Sequence, residues 1–159
     1  ASNERDYAAA RAHLEESAAG WRRLGDQPWL LAWVLLPLAT VACRLGDHAA
    51  AEAHLREAVE VFRQVGDRTG LVYVLERFAG LEAARGRPER SATLFGAAER
   101  LRQVLNRPLA PGDRQDFYDE DHAAAQDALG EVAFAAAEGE GRRLSLEEAV
   151  AYALGDGSG

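Results

Sequence analysis

Lysine, isoleucine and methionine are absent, and cysteine occurs once. Without lysine there is no Gly-x-x-x-x-Gly-Lys loop to cradle a nucleotide's phosphates. The single Cys43 excludes a disulfide framework within the chain and fits a reducing compartment, so the expected location is cytoplasmic. The three missing residue types have AT-rich codons, so the gene reads as GC-rich. Basic charge is also scarce. The 18 basic residues, all arginine, stand against 26 acidic ones and leave a net charge of −8. Phosphate repels such a chain, so neither direct nucleic-acid binding nor membrane binding is expected of this segment. Long apolar runs are missing too. Trp29 to Cys43 is interrupted by Pro37 and Thr40 and is too short for a bilayer span. Ala1 to Asp6 is polar and does not read as a leader. No stretch alternates apolar and polar residues for long enough to make a strand.

What the chain does have is a recurring corner. Leu24-Gly25-Asp26, Leu45-Gly46-Asp47 and Val65-Gly66-Asp67 are one triplet repeated about every 20 residues, and Arg85-Gly86-Arg87 is a weaker fourth copy. Glycine takes the left-handed backbone that closes a helix, and the following aspartate accepts the free N–H groups of the next helix's first turn. The segments between corners carry apolar residues at steps of three and four, which reads as helix. The expected helices are Asp6–Leu24, one from an Asp26 cap to Leu45, His48–Val65, Arg68–Arg85 and Pro88 to about Asn106. Pro37 predicts a kink or widened turn at Val34 to Pro37. After a loop containing Pro108 and Pro111, one long helix is expected from Pro111 or Asp113 to Glu138. Its stripe is Tyr118, Ala125, Ala128, Leu129, Val132 and Ala136, and Gly139-Glu140-Gly141 ends it. Ser145-Leu146-Glu147-Glu148 reads as a capping box opening a short helix to Leu154. Residues 155–159 read as a flexible tail or linker.

Equal helices joined by equal turns make an all-α solenoid of antiparallel hairpins, about seven helices in a right-handed superhelix, with a repeat of about 40 residues. Residues 1–106 form the repeats, and 107–154 add the long helix and a short capping helix to the same domain. The repeat is visible in the letters. Asp6-Tyr7-Ala8-Ala9-Ala10-Arg11-Ala12-His13-Leu14 matches Asp47-His48-Ala49-Ala50-Ala51-Glu52-Ala53-His54-Leu55. Small residues at Ala39 and Ala51, and at Ala79 and Ser91, let paired helices approach closely. The first helix therefore corresponds to the second helix of a hairpin. Its apolar face around Tyr7, Leu14 and Trp21 is expected to lack a mate and to seek another chain or self-associate. The chain accordingly reads as part of a longer protein.

Leu35 with Leu38-Ala39, then Ala51, Leu55 and Ala58, and Leu75 with Phe78-Ala79, then Ser91, Phe95 and Ala98, form a pattern that resembles the tetratricopeptide repeat. The period here is longer, and the terminal proline of each motif is missing. Ala97-Ala98-Glu99-Arg100-Leu101-Arg102, Leu129-Gly130-Glu131-Val132-Ala133-Phe134 and Gly141 to Val150 are similar to the repeat region of large actinobacterial regulators with a signal-transduction ATPase, some of them carrying a LuxR-type helix-turn-helix. The resemblance implies a non-catalytic interaction or sensor module of a bacterial transcriptional or signal-transduction regulator. Its partner would be a protein, a peptide or other domains of the parent chain, and no cofactor is implied. A free-standing adaptor that binds a protein or peptide is the alternative.

Helix spacing places Trp33, Leu36, Thr40, Cys43 and Arg44, and then Tyr73, Glu76, Gly80 and Ala83, along a groove that could hold a peptide or helix. The competing reading has Trp33 and Leu36 covering a neighbouring element. Asp116, Asp119, Glu120, Asp121 and His122 cluster, but they fall on different helix faces and read as a solvated helix start favoured by the dipole rather than a metal site. His13, His48 and His54 read as surface polar groups and Cys43 as a small buried hydrophobe. No nucleophile elbow or other catalytic constellation is present.

Overall fold

The structure, a computed structural model, describes residues 2–113 and 117–155. Among these residues the architecture is all-helical, with no strand. The helices are α1 (Ser2–Leu24), α2 (Pro28–Arg44), α3 (His48–Val65), α4 (Arg68–Ala84), α5 (Pro88–Leu105), a single turn α6 (Pro111–Asp113), α7 (Asp119–Leu129), α8 (Glu131–Arg142) and α9 (Leu146–Leu154). The chain divides into two compact units, Ala1–Gly70 and Leu71–Gly159.

The glycine corners fold as expected. Gly25, Gly46, Gly66 and Gly86 all have positive φ, between 70° and 81°, where a side chain would be strained. Their aspartates do more than cap. Asp47 accepts the Ala50 N–H with one carboxylate oxygen and the Arg11 guanidinium, at 2.7 Å, with the other. Arg11 holds the Asp47 carboxyl below its usual range, and the Ala50 N–H adds to this. Asp67 accepts the Gly70 N–H at 2.8 Å and the Trp29 indole N–H at 2.6 Å. Asp47 and Asp67 thus each start one helix and tie it to the helix two before it. Asp26 does not do this. The residue at the N-cap of α2 is Gln27, which makes no side-chain cap, and Pro28 takes the first helical position, where a missing N–H costs nothing.

In the first unit α1 packs on α2 and α2 on α3. α2 is apolar on nearly every side and buries Leu31, Ala32, Leu35, Leu36, Leu38, Ala39 and Ala42. Its helix runs unbroken through Pro37, without the widened turn expected there. α3 buries Ala51, Leu55, Ala58, Val59, Val61 and Phe62. The fully buried Phe62 ring contributes about 1.5–3 kcal/mol by burial, and it meets Trp33 edge-on at 5.1 Å.

In the second unit α5 is the central helix, buried at every residue from Ser91 to Ala98. Ser91 donates its hydroxyl to the Ala79 carbonyl at 2.7 Å, so the small pair predicted at Ala79 and Ser91 does bring α4 and α5 together. α7, α8 and α9 also pack on α5. Here the structure corrects the single long helix. Gly130, at φ 89° and ψ 153°, breaks it into α7 and α8. The break resets the phase of the apolar stripe. Val132 is 86% exposed and Ala128 and Ala136 face solvent, whereas Phe134 and Ala137 join Ala92 and Ala125 in the core. α8 also continues through Gly139-Glu140-Gly141 to Arg142. Gly141 is a spacer and not a stop: a Cβ there would overlap the Thr93 carbonyl, and one on Gly96 would overlap the Glu138 carbonyl. The α5–α8 crossing therefore needs both glycines.

The capping box forms as read. Ser145 accepts the Glu148 N–H, and Glu148 accepts the Ser145 N–H. Arg90 docks the far end of α9 by donating to the Tyr152 carbonyl at 2.7 Å while lying over the Tyr152 ring. Asp156 to Gly159, most of the predicted tail, lie outside the described residues.

Candidate functional site

The second unit contains a cavity of about 480 Å³ between α4, α5, the loop after α5 and α7. Its position follows from the end of the repeat pattern. Asn106 closes α5 in a left-handed conformation at φ 54°. Asparagine tolerates that conformation better than most residues, and the chain then turns away through Pro108 instead of beginning another hairpin.

The base of the cavity is an ion pair. Glu76 is 0% exposed and Arg102 is 6% exposed. Arg102 donates from Nε at 2.6 Å and from Nη2 at 2.7 Å to the two Glu76 carboxylate oxygens, a bidentate arrangement. Its Nη1 donates to the Arg107 carbonyl at 2.9 Å, which fixes the loop to α5. The guanidinium also lies over the Tyr73 ring at 4.6 Å. Burial acts to weaken the guanidinium's hold on its proton, but the Glu76 carboxylate outweighs burial and raises the net pKa.

One wall is aromatic. Tyr118 stacks on His122 at 5.7 Å, and both meet Phe95 edge-on. His122 in turn packs against Phe134 at 4.8 Å and lies 3.5 Å from Glu138. Pro108 and Leu109 supply apolar surface from the loop, and Gln103, Asn106, Arg107 and Asp119 supply exposed polar groups. Glu99, also on the lining, pairs with Arg142 at 2.7 Å. The arrangement offers an apolar wall, a ring of hydrogen-bonding groups and a base whose charges already satisfy one another.

Of the residues expected to line a groove, the structure brings Tyr73 and Glu76 together through Arg102. Trp33, Leu36, Thr40, Cys43 and Arg44 lie in the first unit, and Gly80 and Ala83 lie in the second. Trp33 is half-buried, edge-on to Trp29 at 6.1 Å as well as to Phe62. Leu36 is 1% exposed. Thr40 donates back to the Leu36 carbonyl within its own helix. Arg44 is half-buried at the end of α2, and Cys43 beside it is half-buried and in no disulfide. Gly80 packs directly against the buried Asp121, where a Cβ would overlap the carboxylate. Of the remaining acidic cluster, Asp119 and Glu120 are exposed, and Asp116 lies outside the described residues. Among the described residues no three His, Cys, Asp or Glu side chains are placed to hold a metal ion. Among the described residues no helix is long and apolar enough to cross a membrane.

The sequence places neither Arg102 nor the loop residues at a site, and it reads Tyr118 as a stripe residue and His122 as part of a solvated helix start. One signal was available. Glu76-Arg77 interrupts the otherwise apolar run Leu71 to Leu75 and Phe78 to Leu81, and a buried acid needs a cation.

Residues 30–103 match the family described as tetratricopeptide repeat. Over those residues the chain is similar to repeats that typically serve as non-catalytic protein-interaction scaffolds. No curated protein and no solved structure matches the chain.

Proposed function

We propose that the chain is a non-catalytic interaction module that receives a segment of a protein partner in the cavity above Glu76 and Arg102, and that it serves as the sensor or docking arm of a larger bacterial transcriptional or signal-transduction regulator in the cytoplasm. The observation that carries the first part is the cavity's chemistry. Its volume lies within the range of small-ligand pockets, roughly 300–1,000 Å³, so it takes a few side chains and not a whole folded surface. Tyr118, Pro108 and Leu109 suit an apolar anchor, and Gln103, Asn106, Arg107 and Asp119 suit the polar main chain around it. The buried charges are consumed by their own pairing and are not poised for proton transfer. The regulator context is supported by the likeness of Ala97 to Arg102, Leu129 to Phe134 and Gly141 to Val150 to the repeat regions of such proteins.

Selection from a displayed random-peptide library tests the cavity. Peptides enriched on the wild-type chain are expected to lose at least about tenfold in affinity for Leu109→Asp and Gln103→Arg, two substitutions at partly or fully exposed positions. Enriched peptides that bind both variants unchanged would overturn the assignment. The full open reading frame tests the context. An ATPase or output domain joined to this segment supports the regulator, and a frame without one favours the free-standing adaptor.

A further inference from the structure

The hairpin of α4 and α5 carries a polar trio where the hairpin of α2 and α3 carries an apolar one. Setting Gly46 on Gly86 aligns Trp33, Leu36 and Phe62 with Tyr73, Glu76 and Arg102. In the earlier hairpin the Trp33 ring meets Phe62 edge-on at 5.1 Å, and Leu36 is buried. Apolar packing at these positions is therefore enough to hold such a hairpin together. The later hairpin buries an ion pair there instead, and a buried pair stabilises no better than apolar residues of similar size. A second difference accompanies it. After Gly66 the chain begins another helix, whereas after Asn106 it turns away and leaves the cavity beside Arg102. The polar trio and the cavity occur together, so the chemistry of the trio indicates what the cavity holds.

We infer that the partner segment anchors in this cavity through a side-chain carboxamide, glutamine or asparagine, whose oxygen accepts from Arg102. This rests on the reading of the cavity as the binding site. Arg102 lines the cavity. Glu76 takes two of its N–H groups, the Arg107 carbonyl a third and the Tyr73 side chain a fourth. A guanidinium carries five, so one is left for an acceptor on the ligand. Charge decides which acceptor suits it. Glu76 neutralises Arg102, and Arg142 neutralises Glu99. Asp119 and Arg107 oppose one another on the rim, and Glu138 stands 3.5 Å behind His122. A carboxylate would enter beside Glu76, and like charges brought together out of water repel. An ammonium would face Arg102 and has no acceptor to offer it. A carboxamide has the acceptor, and its N–H groups can be received by Asp119 or by the side-chain oxygens of Gln103 and Asn106. Its methylene stem suits Pro108, Leu109 and Tyr118. The base lies buried beneath the rim, so a side chain reaches it where a main chain does not. Arg102 thus touches the ligand, and Glu76 is a positioning residue that cancels the charge of Arg102.

Calorimetric titration of the full chain with a library-selected peptide, in versions differing only at the anchor, tests this. On the wild-type chain, replacing the anchoring glutamine with glutamate or with methionine, both of similar size, is expected to weaken binding at least about tenfold. Glu76→Leu/Arg102→Met restores the apolar trio of the earlier hairpin. On it the glutamine and methionine peptides should bind within about threefold of each other. Glu76→Gln leaves Arg102 without its counter-charge and should reverse the order of the glutamine and glutamate peptides. Circular dichroism reports whether each variant is folded, and the wild-type comparison needs no variant. Peptides that lose affinity for Leu109→Asp, and so use the cavity, but bind as well with methionine or glutamate at the anchor would overturn this inference alone. So would a preference for glutamine that persists in the folded double variant. Peptides indifferent to both Leu109→Asp and Gln103→Arg would overturn the cavity assignment and this inference with it.

Discussion

Replacing Arg102 with methionine removes the cation from beneath the cavity while keeping most of the buried stem. Glu76 is fully buried and receives two short bonds from this guanidinium. Removing one member of a buried pair costs about 3–5 kcal/mol, because the remaining charge stays out of water. Loss of the cation–π contact with Tyr73 falls within that range. The double variant Glu76→Leu/Arg102→Met behaves differently. Apolar replacement of a whole buried pair is neutral or stabilising by about 1–4 kcal/mol, and the lost bond to the Arg107 carbonyl offsets about 1 kcal/mol of that. The double variant should therefore lie close to wild type, with a coupling energy of about 3 kcal/mol or more. Urea unfolding followed by far-ultraviolet circular dichroism measures all four corners of the cycle. A loss below about 1 kcal/mol for Arg102→Met, or additive single effects, would mean that the pair is screened as a surface salt bridge is and would refute its role as the cavity's fixed base.

Two glycines of α8 should respond in opposite directions to the same change. Gly139 has open space where a Cβ would go, so Gly139→Ala should stabilise by about 0.5–1 kcal/mol. Gly141 abuts the Thr93 carbonyl, so Gly141→Ala should destabilise by ~2 kcal/mol despite its better helix propensity; thermal denaturation of both variants checks the contrast. Burial lowers the pKa of His54 below its ordinary 6.5, helped by Arg22 and Arg11 and opposed by Glu57 and Glu15. The unfolded chain then binds the proton more readily, so stability is complete above the ordinary value and falls as pH drops below it. The melting temperature should decrease on acidification through that window, and His54→Gln should flatten the decrease.

The corners at Gly46-Asp47 and Gly66-Asp67 were legible because each places two residues with matching demands side by side: a glycine that accepts positive φ and an aspartate that caps. The capping box at Ser145 and Glu148 was legible for the same reason. Gly130 and Gly141 are single letters inside apolar helical patterns, and a lone glycine is tolerated there at about 1 kcal/mol. Whether it breaks a helix or spaces two helices depends on what packs against it, and periodicity carries no information about that. Glu76 and Tyr73 were placed in a candidate site by helix spacing, but their meeting through Arg102 depends on the α4–α5 register. The loop at Asn106 to Leu109 enters the site because Arg102 binds its backbone, and loop spacing does not reveal this.

Backbone-amide NMR of the isotopically labelled chain, titrated with a library-selected peptide, tests the cavity assignment most directly. The account predicts shifts concentrated at Gln103, Asn106, Arg107, Leu109 and Tyr118, with the resonances of the α1 face unmoved. Saturable shifts centred on Trp29, Trp33 and Thr40, with the loop after α5 unchanged, would contradict it.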